Sequence, residues 1–452
     1  MAMEVTKKQN LYETAFAELS SSLRGSEPSW LSEFREQSFA QFERNGFPTV
    51  ENEDWKYTNV GAIAKTSFTP VIAVNGTQLS KESLVEFTYP ETRESVFVFV
   101  NGLFRSDLSS LAALPESVVA IGLSAAVQNP EYEAAIRESV ESQSDDSPTG
   151  FALLNNALFA GGLFIQIPRD VVLEKPIQLQ FISEPVKGEL SSAAFPRVIV
   201  AGEANSAATI IESYSASDDD CSYFTNAIID LRLADGARFH HYKVQREGTR
   251  ASHVSRTTAR LARNAVYDAT AINLGAALSR HDIDVRMDDE GASCSVDGLY
   301  MVDDSQHTDT HSVIDHRRAH CSSHQLYKGI LDGKSRAVFN GKVFVRHGAQ
   351  QTDARQTNKN LLLSNEAQVD TKPQLEIYAD DVKCTHGAAI GQLDEDQTFY
   401  LISRGINPAL AKNMLTYGFA EEVIEKIQID SIKRELDEAV LNRLHSELKL
   451  EA

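Results

Sequence analysis

Residues 161–391 constrain the fold of this chain more than any other part of its sequence. Short apolar or alternating runs recur there with Gly, Asp or Pro between them, and a sustained helical period is missing. The clearest runs are 163–167, 177–181, 198–201, 228–233 and 337–345. The pattern predicts a long all-β region. A sandwich or a barrel would fit it, and a single stacked solenoid would fit it without a second domain boundary, so the pattern alone leaves three folds open.

The part of the chain that precedes this region is expected to be mostly helical. Apolar residues repeat at every fourth position of its first helix, at Leu11, Ala15, Leu19 and Leu23. A second helix is predicted over residues 29–45, because Gly46 then stands where a helix commonly ends.

Two further signals bound this first domain. The run 96–105 alternates around Asn101-Gly102, which is a strong signal for a β-hairpin. The stretch 139–150 is polar, acidic and rich in turn residues, so it predicts a linker or a mobile loop. We therefore predict a mostly helical N-terminal domain with a small hairpin over residues 1–150.

A helical period returns after Tyr400. Asn407 is a good helix cap, and Pro408 fits the first position of the helix that follows. The final segment is charged, with apolar residues every three or four positions. These patterns place the β core at residues 151–395 and a C-terminal helical domain at residues 396–452.

Composition excludes several classes of partner. The formal net charge of −21 opposes nonspecific binding to nucleic acid or to an anionic membrane surface. No apolar run approaches the roughly 18 residues of a membrane span, and the first residues resemble neither a signal peptide nor a transit peptide. The cysteines are widely spaced, at Cys221, Cys294, Cys321 and Cys384. A disulfide framework is therefore not expected, and a cytoplasmic location is.

Residues 375–391 carry the strongest chemical signal. Two alternating runs meet at an acidic break, and Cys384 and His386 share one face of the second run because side chains repeat every two residues in a strand. Their Cβ atoms would lie roughly 6.5–7 Å apart, near enough to address one soft metal ion or one sulfur species, especially with help from another chain. Gly387 would allow a partner to approach closely. The alternative interpretation is a small buried cysteine beside a satisfied histidine.

A second candidate metal cluster consists of five histidines around Cys321, namely His307, His311, His316, His320 and His324. Neutral imidazole is a common ligand for first-row metals. The spacing places His307 with His311 on one strand face, and the other three on a second face if that segment is extended. A helical HExxH motif is missing, so a structural or solvated role is the alternative.

The sequence offers little for an autonomous enzyme. The segment 329–335 looks like a phosphate-binding loop, but it has three residues between its glycines where the motif needs four, and Asp332-Gly333 predicts a β-turn. We therefore expect no ATP binding by this chain. A nucleophile elbow and a dinucleotide fingerprint are also missing from the sequence.

Five blocks of the sequence form one long pattern: NGKV at 340–343, QTDA at 351–354, NLLLS at 360–364, DTKPQLEIYADDVKCTHGA at 370–388 and YLISRGI at 400–406. Together with WKYT at 55–58 and residues 162–176, they closely resemble the SufB/SufD family of the Suf iron–sulfur cluster assembly scaffold, over most of the chain. SufB has a glutamate directly after the matching histidine and a different residue at the cysteine position. Gly387 and Cys384 therefore favour the SufD branch.

The resemblance implies a central right-handed parallel β-helix between N-terminal and C-terminal helical domains, which favours the solenoid. It also implies a non-catalytic scaffold subunit that pairs with SufB through the β-helices and binds one SufC ATPase through its C-terminal helices. The implied SufC docking residues are Pro408, Leu410, Met414, Leu415, Phe419 and Ile424.

By the same resemblance, SufC dimerisation driven by ATP would rearrange the SufB–SufD interface, where Cys384 and His386 face a SufB cysteine that receives sulfur. A thiolate and a neutral imidazole are suitable ligands for iron there. The isolated chain is expected to hold no cofactor stably, and the complex to hold transient iron or an iron–sulfur cluster. Two alternatives are a metal-dependent β-helix enzyme that uses the histidines of residues 307–324, and a homodimeric scaffold.

Overall fold

A computed structural model of the chain describes residues 2–73, 76–141 and 148–450. Its centre is a parallel β-helix in which the chain crosses between two sheets, here called wall A and wall B, at each turn. Through most of the core, each strand therefore pairs in parallel with the strand two positions away in chain order. This arrangement confirms the solenoid and rejects the sandwich and the barrel.

The two walls contain the following core strands. Wall A consists of β5 (Gly162–Ile167), β8 (Arg197–Gly202), β10 (Ser222–Leu233), β12 (Ser252–Leu261), β14 (Leu278–Met287), β16 (His307–His316), β18 (Arg336–Val345) and β20 (Gln368–Ile377). Wall B consists of β6 (Ile177–Ser183), β9 (Ala207–Ala216), β11 (Arg238–Gln245), β13 (Val266–Asn273), β15 (Ser293–Val302), β17 (Ser322–Leu331), β19 (Asp353–Leu362) and β21 (Lys383–Gly391).

The first end of the solenoid is closed by strands that come from earlier in the chain. These are β2 (Val96–Val100), β3 (Leu103–Ser110) and β4 (Val119–Gly122). Two short strands, β1 (Thr69–Pro70) and β7 (Ser191–Ala194), pair with each other, and β7 joins wall A through β10. The predicted hairpin is confirmed, since β2 and β3 are antiparallel and both turn residues, Asn101 and Gly102, have positive φ. Because β2 pairs with β6 and β4 pairs with β5, both walls reach back into the segment before residue 150.

One corner of the solenoid repeats the same backbone conformation from turn to turn. Residues with positive φ follow one another there, at Asn205, Gly236, Asn264, Gly291, His320 and Gln351. Backbone hydrogen bonds connect successive corners, as from His320 N to the carbonyl oxygen of Gln350 at 2.9 Å. A left-handed corner favours Gly and Asn because a Cβ atom is strained in this conformation.

Helices flank the solenoid on its outer faces. They are α1 (Ala2–Leu23), α2 (Ser29–Asn45), α3 (Gly61–Lys65), α4 (Leu123–Ala126), α5 (Pro130–Glu141), α6 (Gly150–Leu158), α7 (Glu395–Ser403), α8 (Pro408–Ile424) and α9 (Asp430–Leu450). The first two confirm the predicted N-terminal helices. Of the predicted linker, residues 142–147 lie outside the described residues. Among the described residues, no helix combines the length and the apolar character needed to cross a bilayer.

The C-terminal helices begin earlier than the sequence pattern predicted. The sequence shows a helical period after Tyr400 and predicts the C-terminal helical domain from residue 396, whereas α7 starts at Glu395. The side chain of Asp394 caps this helix, accepting a hydrogen bond from Gln397 N at 3.0 Å. Helices α8 and α9 pack on the outer face of wall B, where apolar side chains such as Tyr242 and Val244 face outward.

The interior of the solenoid contains buried charge as well as apolar side chains. The ammonium group of Lys243 on β11 lies 3.1 Å from Oε1 of Glu212 on β9 and donates a hydrogen bond of 2.9 Å to Oγ of Ser255. The Nδ1 atom of His253 lies 2.8 Å from Oε2 of Glu247, and burial lowers the pKa of this histidine. Burial raises the pKa of the Glu212 carboxyl, but Lys243 and a neighbouring histidine outweigh this effect and hold it well below its usual range. These groups are therefore paired inside the solenoid.

Candidate functional site

The solenoid ends in a turn that has strand neighbours on one side only. Here β20 pairs with β18 and β21 pairs with β19, and neither has a second strand partner in the part of the chain that the structure describes. We call β20 and β21 the last turn, and the strands before them the closed turns. The outer edges of the last turn leave backbone N–H and C=O groups free to pair with another chain.

The rim of this open end is partly apolar. Ile377, Tyr378 and Ile390 are 41%, 47% and 49% exposed. A Cβ atom added at Gly387 would meet no atom within 4 Å, so the space beside this residue is open. A long strand edge with exposed apolar side chains is a typical surface for strand addition by a partner.

Cys384 and His386 lie on β21 with their side chains on the same face, as the alternation predicted. They are the register partners of Ala354 and Gln356, two buried residues of β19. Cys384 is half-buried and packs against the interior core, whereas His386 is exposed. The face that is interior in the closed turns is therefore accessible at the last turn.

Burial raises the pKa of the Cys384 thiol above its ordinary value, so the free chain carries it as a thiol at neutral pH. A bound metal ion or a basic partner would have to take its proton before it could act as a thiolate ligand. His386 offers an exposed imidazole two residues away on the same face.

Polar side chains lie directly beneath His386. Gln356 donates a hydrogen bond of 2.7 Å to Oε1 of Gln325, which in turn donates one of 2.9 Å to Oγ of Ser312. The Oε1 atom of Gln356, and Oγ1 of Thr371 on β20, are buried without a hydrogen-bond partner among the described residues. Gln356 and Thr371 were not predicted as site residues, although the alternation of β19 and β20 would have placed them near this end.

Cys384 and His386 cannot complete a metal site by themselves. Iron and zinc in sulfur and nitrogen sites usually take four ligands. Within residues 2–73, 76–141 and 148–450, no group of three or more His, Cys, Asp or Glu side chains is arranged to hold a metal ion. The last turn therefore presents two ligands of a site whose remaining ligands would come from elsewhere.

The histidines of residues 307–324 do not converge. His307 and His311 share the outer face of β16, where Asp309 lies between them and accepts a hydrogen bond of 2.6 Å from Oγ1 of Thr58. His316 points into the interior, and its Nε2 lies 2.8 Å from Oγ of Ser323.

The prediction that His316, His320 and His324 share a second face is wrong. His320 occupies the left-handed corner between β16 and β17, so the segment is not extended there. His324 then lies on the other wall, where its side chain is half-exposed.

A second exposed surface lies on the C-terminal helices. Of the predicted docking residues, Pro408, Leu410 and Met414 at the start of α8 are exposed. Leu415 and Phe419 are half-buried, and Ile424 is buried against wall B, so Ile424 supports the helix and is not accessible to a partner. Helix α7 adds exposed apolar residues that were not predicted as docking residues, at Phe399, Tyr400 and Ile402.

Family models match nearly the whole chain. Residues 184–419 match the model described as "SUF system FeS cluster assembly, SufBD core domain". Residues 6–179 match the model described as "SufBD protein N-terminal region". The first match begins just after β6, includes the rest of the solenoid with its last turn, and extends into α8.

The sequence matches to individual relatives cover most of the length of each relative. The chain is 33% identical to an iron–sulfur cluster assembly SufBD family protein of Synechocystis sp., over 87% of this chain and 86% of that protein. It is 32% identical to the iron–sulfur cluster assembly protein SufD of Escherichia coli, over 90% of this chain and 92% of that protein. It is 27% identical to SufD of Bacillus subtilis, over 63% and 64%.

Proposed function

This chain belongs to the SufBD family of iron–sulfur cluster assembly proteins, and from that premise we propose that it is a non-catalytic scaffold subunit of the SufD type. In this proposal, the last turn of the solenoid pairs with the corresponding end of a SufB subunit. Cys384 and His386 then contribute to iron acquisition or to the assembly of a nascent cluster at the interface. The complex works in the cytoplasm.

The observation that carries this proposal is the incomplete site on an unpaired edge. The thiol of Cys384 and the imidazole of His386 share one face of β21, and in the described part of the chain no further turn lies above that face. A partner that adds its own strands would satisfy the free edge and could supply the remaining ligands. Pairing would also remove the site from bulk water and oxygen, which favours the survival of a forming cluster.

The exposed surface of α7 and α8 supports a second part of the proposal. Phe399 and Tyr400 on α7, with Leu410 and Met414 on α8, are large apolar or aromatic side chains that are more than a third exposed. Contiguous exposed apolar surface commonly marks a protein interaction site. We assign this surface to the docking of one SufC ATPase, which would supply the ATP-driven movement.

The structure favours no second function. A metal-dependent enzyme built on the histidines of residues 307–324 would need them to converge, but they lie on two walls and at a corner. A homodimer joined through the same open ends remains an alternative assembly. The molecular mass in solution of the chain alone, and with SufB, distinguishes the homodimer from the heterodimer.

Co-purification tests the proposal. The tagged chain is expressed with SufB and SufC, and complex composition, iron and acid-labile sulfide are compared between wild type and His386→Ala. We expect an intact complex with most of its iron and sulfide lost, because one ligand of the shared site is missing. His240→Ala, a half-exposed histidine on β11 in the closed turns, is the matched control and should retain both. Full iron and sulfide in the His386 variant would show that this histidine is structural, and no complex in wild type would refute the pairing.

A further inference from the structure

The proposed docking helix α8 has two halves with different surroundings. Its first half presents Leu410 and Met414 to solvent, whereas its second half packs on the outer face of wall B through Val423 and Ile424. Polar contacts with the wall come from its last turns and the residues just after it, at Phe419, Glu422 and Lys426. One continuous helix therefore connects the docking surface to the solenoid.

Glu422 lies between two lysines of neighbouring strands. Lys328 on β17 and Lys359 on β19 are register partners, so their side chains leave the same outer face side by side. The Oε2 atom of Glu422 forms an ion pair with both ammonium groups, and its distance to Nζ of Lys359 is 3.7 Å. Like charges directly opposite each other in a sheet are destabilising, so this carboxylate offsets an unfavourable pair.

The ammonium group of Lys328 has more polar contacts with α8 than the ammonium group of Lys359. Its side chain is buried, and its Nζ donates a hydrogen bond of 2.8 Å to the carbonyl oxygen of Phe419. Loss of Glu422 would leave the buried ammonium group of Lys328 without its counter-charge, although Glu422 itself is half-exposed. The pair with Lys359 is half-exposed on both sides and is weaker. The hydrogen bond from Lys328 holds the pKa of Glu422 below its usual range, so its carboxylate is charged at neutral pH.

One lysine of this pair is directly opposite a residue of the last turn. Lys359 is the register partner of Ala389 on β21, three residues after His386. We propose that Glu422 couples the position of α8 to the last turn, so that a shift of α8 changes the alignment of β19 with β21 and hence the site at Cys384 and His386. This inference rests on the proposed function, because it takes α8 as the helix that an ATPase subunit binds.

Hydrogen–deuterium exchange of the full chain tests the coupling without any partner. We expect Glu422→Gln to speed exchange at the amides of β19 and β21 by about threefold or more, a typical size for a change within a coupled network. Glu421→Gln is the matched control, since it removes the same charge one position away on α8, from an exposed side chain. It should leave exchange unchanged.

A double variant separates electrostatic coupling from a simple loss of helix packing. Adding Lys359→Gln to Glu422→Gln removes the repulsion between the two lysines, so exchange at β19 and β21 should return towards the wild-type rate. Equal exchange in wild type and Glu422→Gln would overturn the inference. A double variant that exchanges as fast as the single variant would also overturn it.

The same measurement with purified SufC tests transmission. In wild type, SufC binding should change exchange at β19 and β21, and in Glu422→Gln SufC should still bind while this response is lost. If the response survives in Glu422→Gln, the coupling through this residue is refuted. If SufC does not bind the wild-type chain, the docking proposal fails, and the partner-free comparison still decides whether Glu422 couples α8 to the last turn.

Discussion

The closed turns of the solenoid and its last turn follow the same strand alternation, but the burial and the partners of their polar side chains differ. In the closed turns, the interior lysine Lys243 has a carboxylate and a hydroxyl within hydrogen-bond distance. In the last turn, the face that continues this interior leaves Cys384 half-buried and His386 exposed. A polar group inside a parallel solenoid can be satisfied by neighbours from the turns before and after it, and in the described part of the chain the last turn has only one of these neighbours.

This difference shows where a partner can act. A closed turn already has a hydrogen-bonded strand on both sides, so a new strand would have to break existing pairing at a cost. The last turn has free strand edges and a site with two ligands, so a partner completes interactions that this chain leaves open. The comparison predicts that equivalent substitutions will affect stability strongly in the closed turns and weakly in the last turn.

The largest expected effect is that of Lys243→Ala. It removes the ammonium group that is paired with Glu212 in the interior, and the loss of one partner of this buried ion pair should lower the free energy of unfolding by about 3–5 kcal/mol. Urea unfolding followed by circular dichroism measures this change. Lys383→Ala on β21 is the control, because its side chain is exposed and its loss should cost less than about 0.5 kcal/mol. Equal losses in both variants would contradict the comparison.

A smaller effect is expected when Ala replaces a glycine in each region. At Gly298 on β15, a Cβ atom would lie 2.2 Å from the ring of Tyr327, which is buried and cannot move away. Gly298→Ala should therefore destabilise the chain by about 1–3 kcal/mol.

The matched substitution in the last turn should behave in the opposite way. Gly387→Ala places its methyl group in open space, and alanine loses less backbone entropy than glycine on folding. The free energy of unfolding should stay the same or rise by up to about 1 kcal/mol, as measured in the same urea titration. A marked loss at Gly387 would show that the last turn is as tightly packed as the closed turns.

The fold could be predicted from sequence where the signal was local. Helix α2 was predicted with its observed bounds because Gly46 ends it, and the hairpin was predicted from Asn101-Gly102. Alternation alone could not distinguish a solenoid from a sandwich or a barrel, as β11 shows. There the polar residues His241 and Lys243 point inward, and apolar residues point outward beneath α8 and α9, so alternation gives the two faces without saying which is interior.

The candidate site was predictable to a similar extent. The strand period of two predicted that Cys384 and His386 share one face, and they do so in the structure. Their different exposure depends on where the solenoid ends, which is a property of the whole chain. The burial of Ile424 and the position of Glu422 between two lysines depend on how α8 packs on wall B, and these contacts join residues about 60–130 positions apart.

The smallest effect concerns acid stability and His316 in the closed turns. Its imidazole lies in the interior between Met287 and Val345 of the neighbouring strands, and burial lowers its pKa to about 4. In the unfolded chain this pKa is about 6.5, so between pH 6.5 and 4 the unfolded state binds a proton that the folded state does not. The stability contributed by the neutral imidazole is therefore present above pH 6.5 and is lost as the pH falls.

By this linkage His316 should lower the free energy of unfolding by about 1 kcal/mol on going from pH 7 to pH 5.5. His316→Gln removes the titrating group, so the difference in stability between wild type and variant should shrink by that amount over this range, as measured by urea unfolding at each pH. Gly387→Ala in the last turn is the control, because it removes no titrating group and should differ from wild type by an amount that does not change with pH. A constant difference for His316 would mean that water reaches this part of the interior, and that the closed turns resemble the last turn more than their packing indicates.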